Sequence, residues 1–133
     1  MAKVSSRPRR LGGAEVDFAQ IVAEALAELP PEIQDRMENV EVVIGDWPSP
    51  AQLRRAGLRR GQTLFGLYEG VPLTQRTSGY NLVPPDKITI FQGPIEAFYH
   101  TAQEMRDQVR RTVLHEVGHH FGLDEARLRE LDY

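Results

Sequence analysis

The run His115-Glu116-Val117-Gly118-His119 constrains this chain more than any other feature, because its side chains can act together only if the segment is helical. Residues four apart on an α-helix lie about 40° apart around the axis. Both imidazoles can therefore close on one metal ion while Glu116 leans toward the same ion from beside them. A chain of this His and Glu content contains HExxH by chance roughly once in a hundred such chains, and roughly once in a thousand when a Gly must also stand three residues after the second His, as Gly122 does here. The run is accordingly read as a metal site rather than as two surface histidines beside a solvated glutamate.

At 133 residues, 41% hydrophobic and 26% charged, the chain has the size and composition of one globular domain. A net charge of -3 gives no general attraction to nucleic acid or anionic membrane. There are no cysteines, which excludes disulfides, thiolate metal ligands and a Cys nucleophile, and with them HExxH enzymes whose third ligand is Cys, such as peptide deformylases. The basic stretch 1–13 is followed by Glu15, Asp17, Gln20 and Glu24, where a secretion signal would need an apolar run. No segment reaches transmembrane length. A cytoplasmic protein without a membrane partner is expected.

Residues 1–13, with Arg7, Pro8, Arg9, Arg10 and the Gly12/Gly13 pair, read as a flexible basic tail, leaving 14–133 as the single domain. From Ala14 to Leu29 the apolar residues recur at three and four, which predicts an amphipathic helix ended by Pro30 and Pro31. Strands are predicted at Val40–Gly45, at Thr63–Tyr68, where Gly66 either weakens the interior or allows close approach of another backbone, and at Lys87–Gln92. Between the first two, 51–61 reads as a short surface helix or basic loop. The long connection 70–85 holds Arg76 and Tyr80. Thr101 and Glu104 fit a capping box that starts the motif helix, along which Met105, Val109, Val113, Val117 and Phe121 form a core stripe. Val113 and Val117 point about 160° away from the metal face. Gly122 suits a left-handed helix end, and a last short helix packs through Leu128. The element order predicts an α+β fold.

A catalytic zinc takes three protein ligands and keeps one open position. His115 and His119 are two; Glu125 stands where metzincins place the third, and Asp124 is the rival, although its spacing also makes it a helix N-cap. Glu130 is too near for a thermolysin-type third ligand. With zinc in place, Glu116 is expected to act as general base on the metal-bound water and to pass the proton to the leaving amine. Tyr68, Tyr80, Tyr99, Arg76 or His120 are candidate donors to the oxyanion. His100 reads as a packed or solvated residue.

From about Phe18 to Leu128 the chain resembles the small bacterial zincin-like metallopeptidase domain, through VEVVIGDWP at 40–48, GLYEGVPL at 66–73, ITIFQGPI at 88–95 and TVLHEVGHHFGLDE at 112–125. The resemblance implies a minimal zincin fold: a small mixed sheet of about three strands, helices packed on it and the HExxH helix near the C-terminus. It departs from full metzincins in lacking His or Asp at the third-ligand position, a Met-turn after the motif (Met37 and Met105 precede it) and a lower lobe. An open cleft excludes water poorly, which favours a narrow substrate or a protein partner that completes the cleft.

The leading reading is therefore a zinc-dependent metallopeptidase or related amide hydrolase acting on a peptide or protein. The alternative is a non-catalytic zincin-fold binding or regulatory domain with a weak or empty metal site. A nucleic-acid partner held by Arg7, Arg9, Arg10 and the arginines of 54–60 is disfavoured by the acidic overall charge.

Overall fold

The computed structural model describes residues 8–11, 14–58, 64–70, 85–123 and 125–132; for 8–11, 14–16, 125, 131 and 132 it describes the backbone. Along the chain these form β1 (Pro8–Leu11), β2 (Ala14–Asp17), α1 (Phe18–Ala27), α2 (Pro31–Arg36), β3 (Val40–Gly45), α3 (Pro50–Arg55), β4 (Gly66–Glu69), β5 (Asp86–Phe91), α4 (Gln92–Phe98), α5 (Ala102–His120) and α6 (Glu125–Asp132). The fold is α+β, as the element order predicts.

Three strands make an open mixed sheet in the order β3-β5-β4, with β3 parallel and β4 antiparallel to β5. As the central strand, β5 buries both its faces: Ile88 and Ile90 on one, Thr89 and Phe91 on the other. This is why KITIF reads as nearly continuous apolar sequence. The outer strand β3 buries Val40 and Val42 and exposes Glu41 between them, the half-buried pattern of an edge strand.

Helix α5 lies against the sheet and α1. Met105, Val109, Val113 and Val117 are fully buried with Phe18, Ile21, Val22 and Ala25 in one core. The predicted stripe thus holds for four of its five members. Phe121 is 37% exposed because the helix ends at His120 and Phe121 is its cap, its ring under Arg36 rather than in the core. The Thr101 hydroxyl accepts from the Glu104 N–H at 3.1 Å, and the Glu104 carboxylate accepts from the His100 N–H and the Thr101 hydroxyl, so the expected cap forms.

At the other end Gly122 adopts φ +77°, and the N–H groups of Gly122 and Leu123 donate to the carbonyls of His119 and Gly118, the closure that satisfies the last carbonyls of a helix. This reverses the chain into α6. A methyl group at Gly118 would stand 2.2 Å from Leu128 Cδ2, so the glycine inside the HExxH run is what lets α6 seat Leu128 against α5. Arg127 then ties α6 to α2 through Glu32 at 2.8 Å.

Two segments differ from the sequence expectation. Pro8–Leu11, expected inside a flexible tail, forms β1 and pairs antiparallel with β2, Leu11 opposite Ala14. Ala14–Asp17, expected to open the first helix, is β2; α1 begins at Phe18 because the Asp17 carboxylate accepts from the Ala19 N–H at 3.0 Å and caps the helix there. The expected strand at Thr63–Tyr68 is displaced to Gly66–Glu69, and Thr63 and most of the connection 70–85 lie outside the described residues. The surface helix expected within 51–61 is α3, opened by a Ser49–Gln52 capping box and joined to β4 by an Arg55–Glu69 salt bridge.

Candidate metal centre and cleft

His115, Glu116 and His119 fall on the last turns of α5, the two histidines on the side away from Val113 and Val117, which are fully buried in the core, and Glu116 between the two faces. Both imidazoles are exposed and Glu116 is half-buried. The two rings have centroids 5.9 Å apart at 78°. Two imidazoles on one tetrahedral zinc, with metal–nitrogen bonds of 2.0–2.1 Å, would have centroids about 5 Å apart. The observed separation is within about 1 Å of that, and two exposed imidazoles one turn apart are a donor set that suits zinc.

What holds Glu116 is not on its own helix. Just before β4, the Phe65 carbonyl accepts from the Phe91 N–H, so by antiparallel alternation the N–H groups of Gly66 and Tyr68 point away from β5 to the open edge of the sheet. The outward Tyr68 N–H donates to Glu116 Oε1 at 2.8 Å. The bond joins residues 48 apart in sequence and leaves Oε2 for a second partner. β4 can come this close because Gly66 has no side chain: a methyl group there would be 2.5 Å from Thr112 Cγ2.

N-terminal to the histidines, an open cleft of about 340 Å³ runs between the start of β4 and α5. Leu64, Phe65 and Gly66 form one wall; Gln108, Arg111, Thr112, His115 and Glu116 form the other. Beyond the histidines, the Tyr68 hydroxyl donates to Asp86 Oδ2 at 2.7 Å, the Tyr68 ring stacks on His120 at 4.0 Å, and His120 Nε2 lies 3.6 Å from the same carboxylate oxygen.

The structure therefore brings together three of the expected site residues: His115, Glu116 and His119. Of the third-ligand candidates, Glu125 is the first residue of α6 and its side chain lies outside the described residues, as does all of Asp124. Among the described residues no group of three His, Asp or Glu side chains is placed to hold a metal. Glu130 pairs with Arg127. Of the expected oxyanion donors, Tyr80 and Arg76 lie outside the described residues, the Tyr68 hydroxyl is committed to Asp86, and the Tyr99 hydroxyl donates to Gln108 at 2.7 Å. Gln108, Arg111 and Thr112 were not expected at the site. Their signal is spacing, since they precede His115 by seven, four and three residues and so share its side of the helix.

The family model of the zincin-like metallopeptidases matches residues 37–133, which includes β3, β4, β5 and the whole of α5 and α6. The chain belongs to the zincin-like metallopeptidase family. In fold, this zincin-like domain is similar to a conserved hypothetical protein from Thermo thermophilus, with a TM-score of 0.50 and 19% sequence identity over 79% of this chain and 91% of that one. No curated protein matches it. Among the described residues no helix is long and apolar enough to cross a membrane.

Proposed function

We propose that this zincin-like domain is a zinc-dependent peptidase or related amide hydrolase, with Glu116 as its general base. His115 and His119 would hold the metal, completed by Glu125 or, second, by Asp124. Zinc bound there would supply an acidified water, with a pKa lowered toward about 7, and a Lewis acid to polarise the scissile carbonyl.

The chain's own residues do the rest. Glu116 takes the proton of the attacking water on Oε2, while Oε1 stays on the Tyr68 N–H, and it returns that proton to the nitrogen of the leaving amine. A peptide adding to the outer edge of β4 would pair its backbone with the outward groups of Gly66 and the outward carbonyl of Tyr68, beside that carboxylate. The observation that carries this reading is the 2.8 Å bond from the edge strand to Glu116, which fixes the glutamate beside two exposed imidazoles at the place where a peptide strand can dock.

The test uses protein carrying one zinc per chain and a degenerate peptide pool, with Glu116→Gln as the control. General-base catalysis is worth about 10²–10⁴ in rate, so Glu116→Gln should lose cleavage by at least a hundredfold while keeping its zinc. Wild type that holds zinc and cleaves nothing, or a Glu116→Gln protein as active as wild type, would contradict the proposal; the first result would leave a non-catalytic binding domain.

A further inference from the structure

The cleft beside Glu116 carries a cation that no described carboxylate neutralises. Arg111 Nη2 donates to Gln108 Oε1 at 3.1 Å; among the described residues that is the guanidinium's one hydrogen bond. Gln108 is itself fixed, because its Oε1 accepts from the Tyr99 hydroxyl at 2.7 Å and its Nε2 donates to Thr112 Oγ1 at 2.9 Å. The guanidinium is thus steered over the cleft by an amide that cannot turn away. The facing wall, Leu64 and Phe65, is apolar, and an apolar wall strengthens a charge–charge hydrogen bond formed against it.

The direction of a bound peptide follows from how β4 lies along α5. Gly66 abuts Thr112, the Tyr68 N–H reaches Glu116, and Gly70 stands beside His120, so the strand and the helix run the same way in step. A peptide pairing antiparallel with the outer edge of β4, the more stable pairing, runs the opposite way. Its C-terminal half passes Arg111. Arg111 precedes His115 by one turn, about 6 Å along the axis, and an extended peptide advances about 3.4 Å per residue.

We infer that Arg111, oriented by Gln108, binds a substrate carboxylate one or two residues to the C-terminal side of the scissile bond. This rests on the peptidase reading for its register but not for its chemistry. The carboxylate belongs either to an Asp or Glu side chain or to the peptide's own C-terminus, and both suit a guanidinium fork.

Two readouts test it. In the first, Glu116→Gln protein is titrated with fluorescein-labelled alanine octapeptides: amidated with Glu at alternate positions, amidated with Lys there, all-alanine with a free C-terminus, and all-alanine amidated. Anisotropy should show the Glu peptide or the free-acid peptide binding at least tenfold tighter than the Lys and amidated controls, and which of the two wins names the source. Arg111→Ala should abolish the difference and Arg111→Glu should invert it toward Lys, a gain that misfolding cannot produce. In the second, cuts made by zinc-loaded wild type in a degenerate peptide library should show carboxylates enriched one or two residues after the bond, an enrichment that Arg111→Glu replaces with Lys and Arg. Peptide binding indifferent to Arg111, or cutting without that enrichment, overturns the inference. Arg111-dependent binding without any cutting removes the peptidase reading and leaves the carboxylate site standing.

Discussion

Replacing Gly66 with Ala should destabilise this domain through one identifiable clash. The new methyl would stand 2.5 Å from Thr112 Cγ2, 3.1 Å from the Thr89 carbonyl oxygen and 3.4 Å from Ile90 Cδ1. Overpacking of this kind costs about 1–3 kcal/mol, against which a glycine-to-alanine change inside a strand returns about 0.5–1 kcal/mol. A 2.5 Å contact with a β-branched side chain belongs in the upper half of that cost range, so the net loss is about 1–2.5 kcal/mol, or a fall in Tm of roughly 3–10 °C for a domain of this size. Thr112→Ser removes the clashing methyl and keeps the hydroxyl that accepts from Gln108. By itself that loses about 0.8 kcal/mol of apolar burial. Combined with Gly66→Ala it should recover more than half of the damage, because only the 3.1 Å contact with Thr89 then remains tight. Urea unfolding of the four proteins gives the coupling directly, and about 1 kcal/mol of favourable coupling is expected. If Gly66→Ala falls within about 0.5 kcal/mol of wild type, or the two changes simply add, then β4 does not sit on Thr112 and the placement of Tyr68 beside Glu116 loses its support.

Leu128→Ala should cost about 2–5 kcal/mol in chemical denaturation, because Leu128 is fully buried against Gly118; since α6 carries Glu125, the same variant should also bind zinc more weakly, and an unchanged stability would mean that α6 is not seated on α5. Thr101→Ala should cost about 0.5–2 kcal/mol by removing the cap of α5, read as a lower urea midpoint with an unchanged slope, and no change there would show that Glu104 alone closes the helix end.

Much of α5 was legible because its signals are local. The Thr101–Glu104 pair, the apolar stripe at spacing four and Gly122 each act within one or two turns. The sheet was legible to within three residues at each strand start, since β-branched runs bounded by Gly and Pro mark strands whatever they pair with. The hairpin was not, because the arginines of 1–13 suggested a solvated tail, whereas the Gly12/Gly13 pair between two four-residue segments is itself a hairpin signal. Asp17 falls within the helical periodicity although its type favours a cap.

At the site, the sequence pointed to His115, Glu116 and His119 because a helix fixes their relation. It could not point to the Tyr68 N–H on Glu116, a backbone contact across 48 residues that no side-chain pattern encodes. Nor could it rank Arg111 above the other arginines, since its role depends on Tyr99 and Thr112 holding Gln108 in place.

The most direct test of the account is the zinc stoichiometry and affinity of the purified chain at neutral pH, for wild type and for His115→Ala, His119→Ala and Glu125→Ala. The account predicts one zinc per chain, with affinity lost in both histidine variants and sharply reduced in Glu125→Ala while all four proteins remain folded. Zinc that fails to bind wild type after reconstitution, or that binds His115→Ala as tightly as wild type, would contradict it.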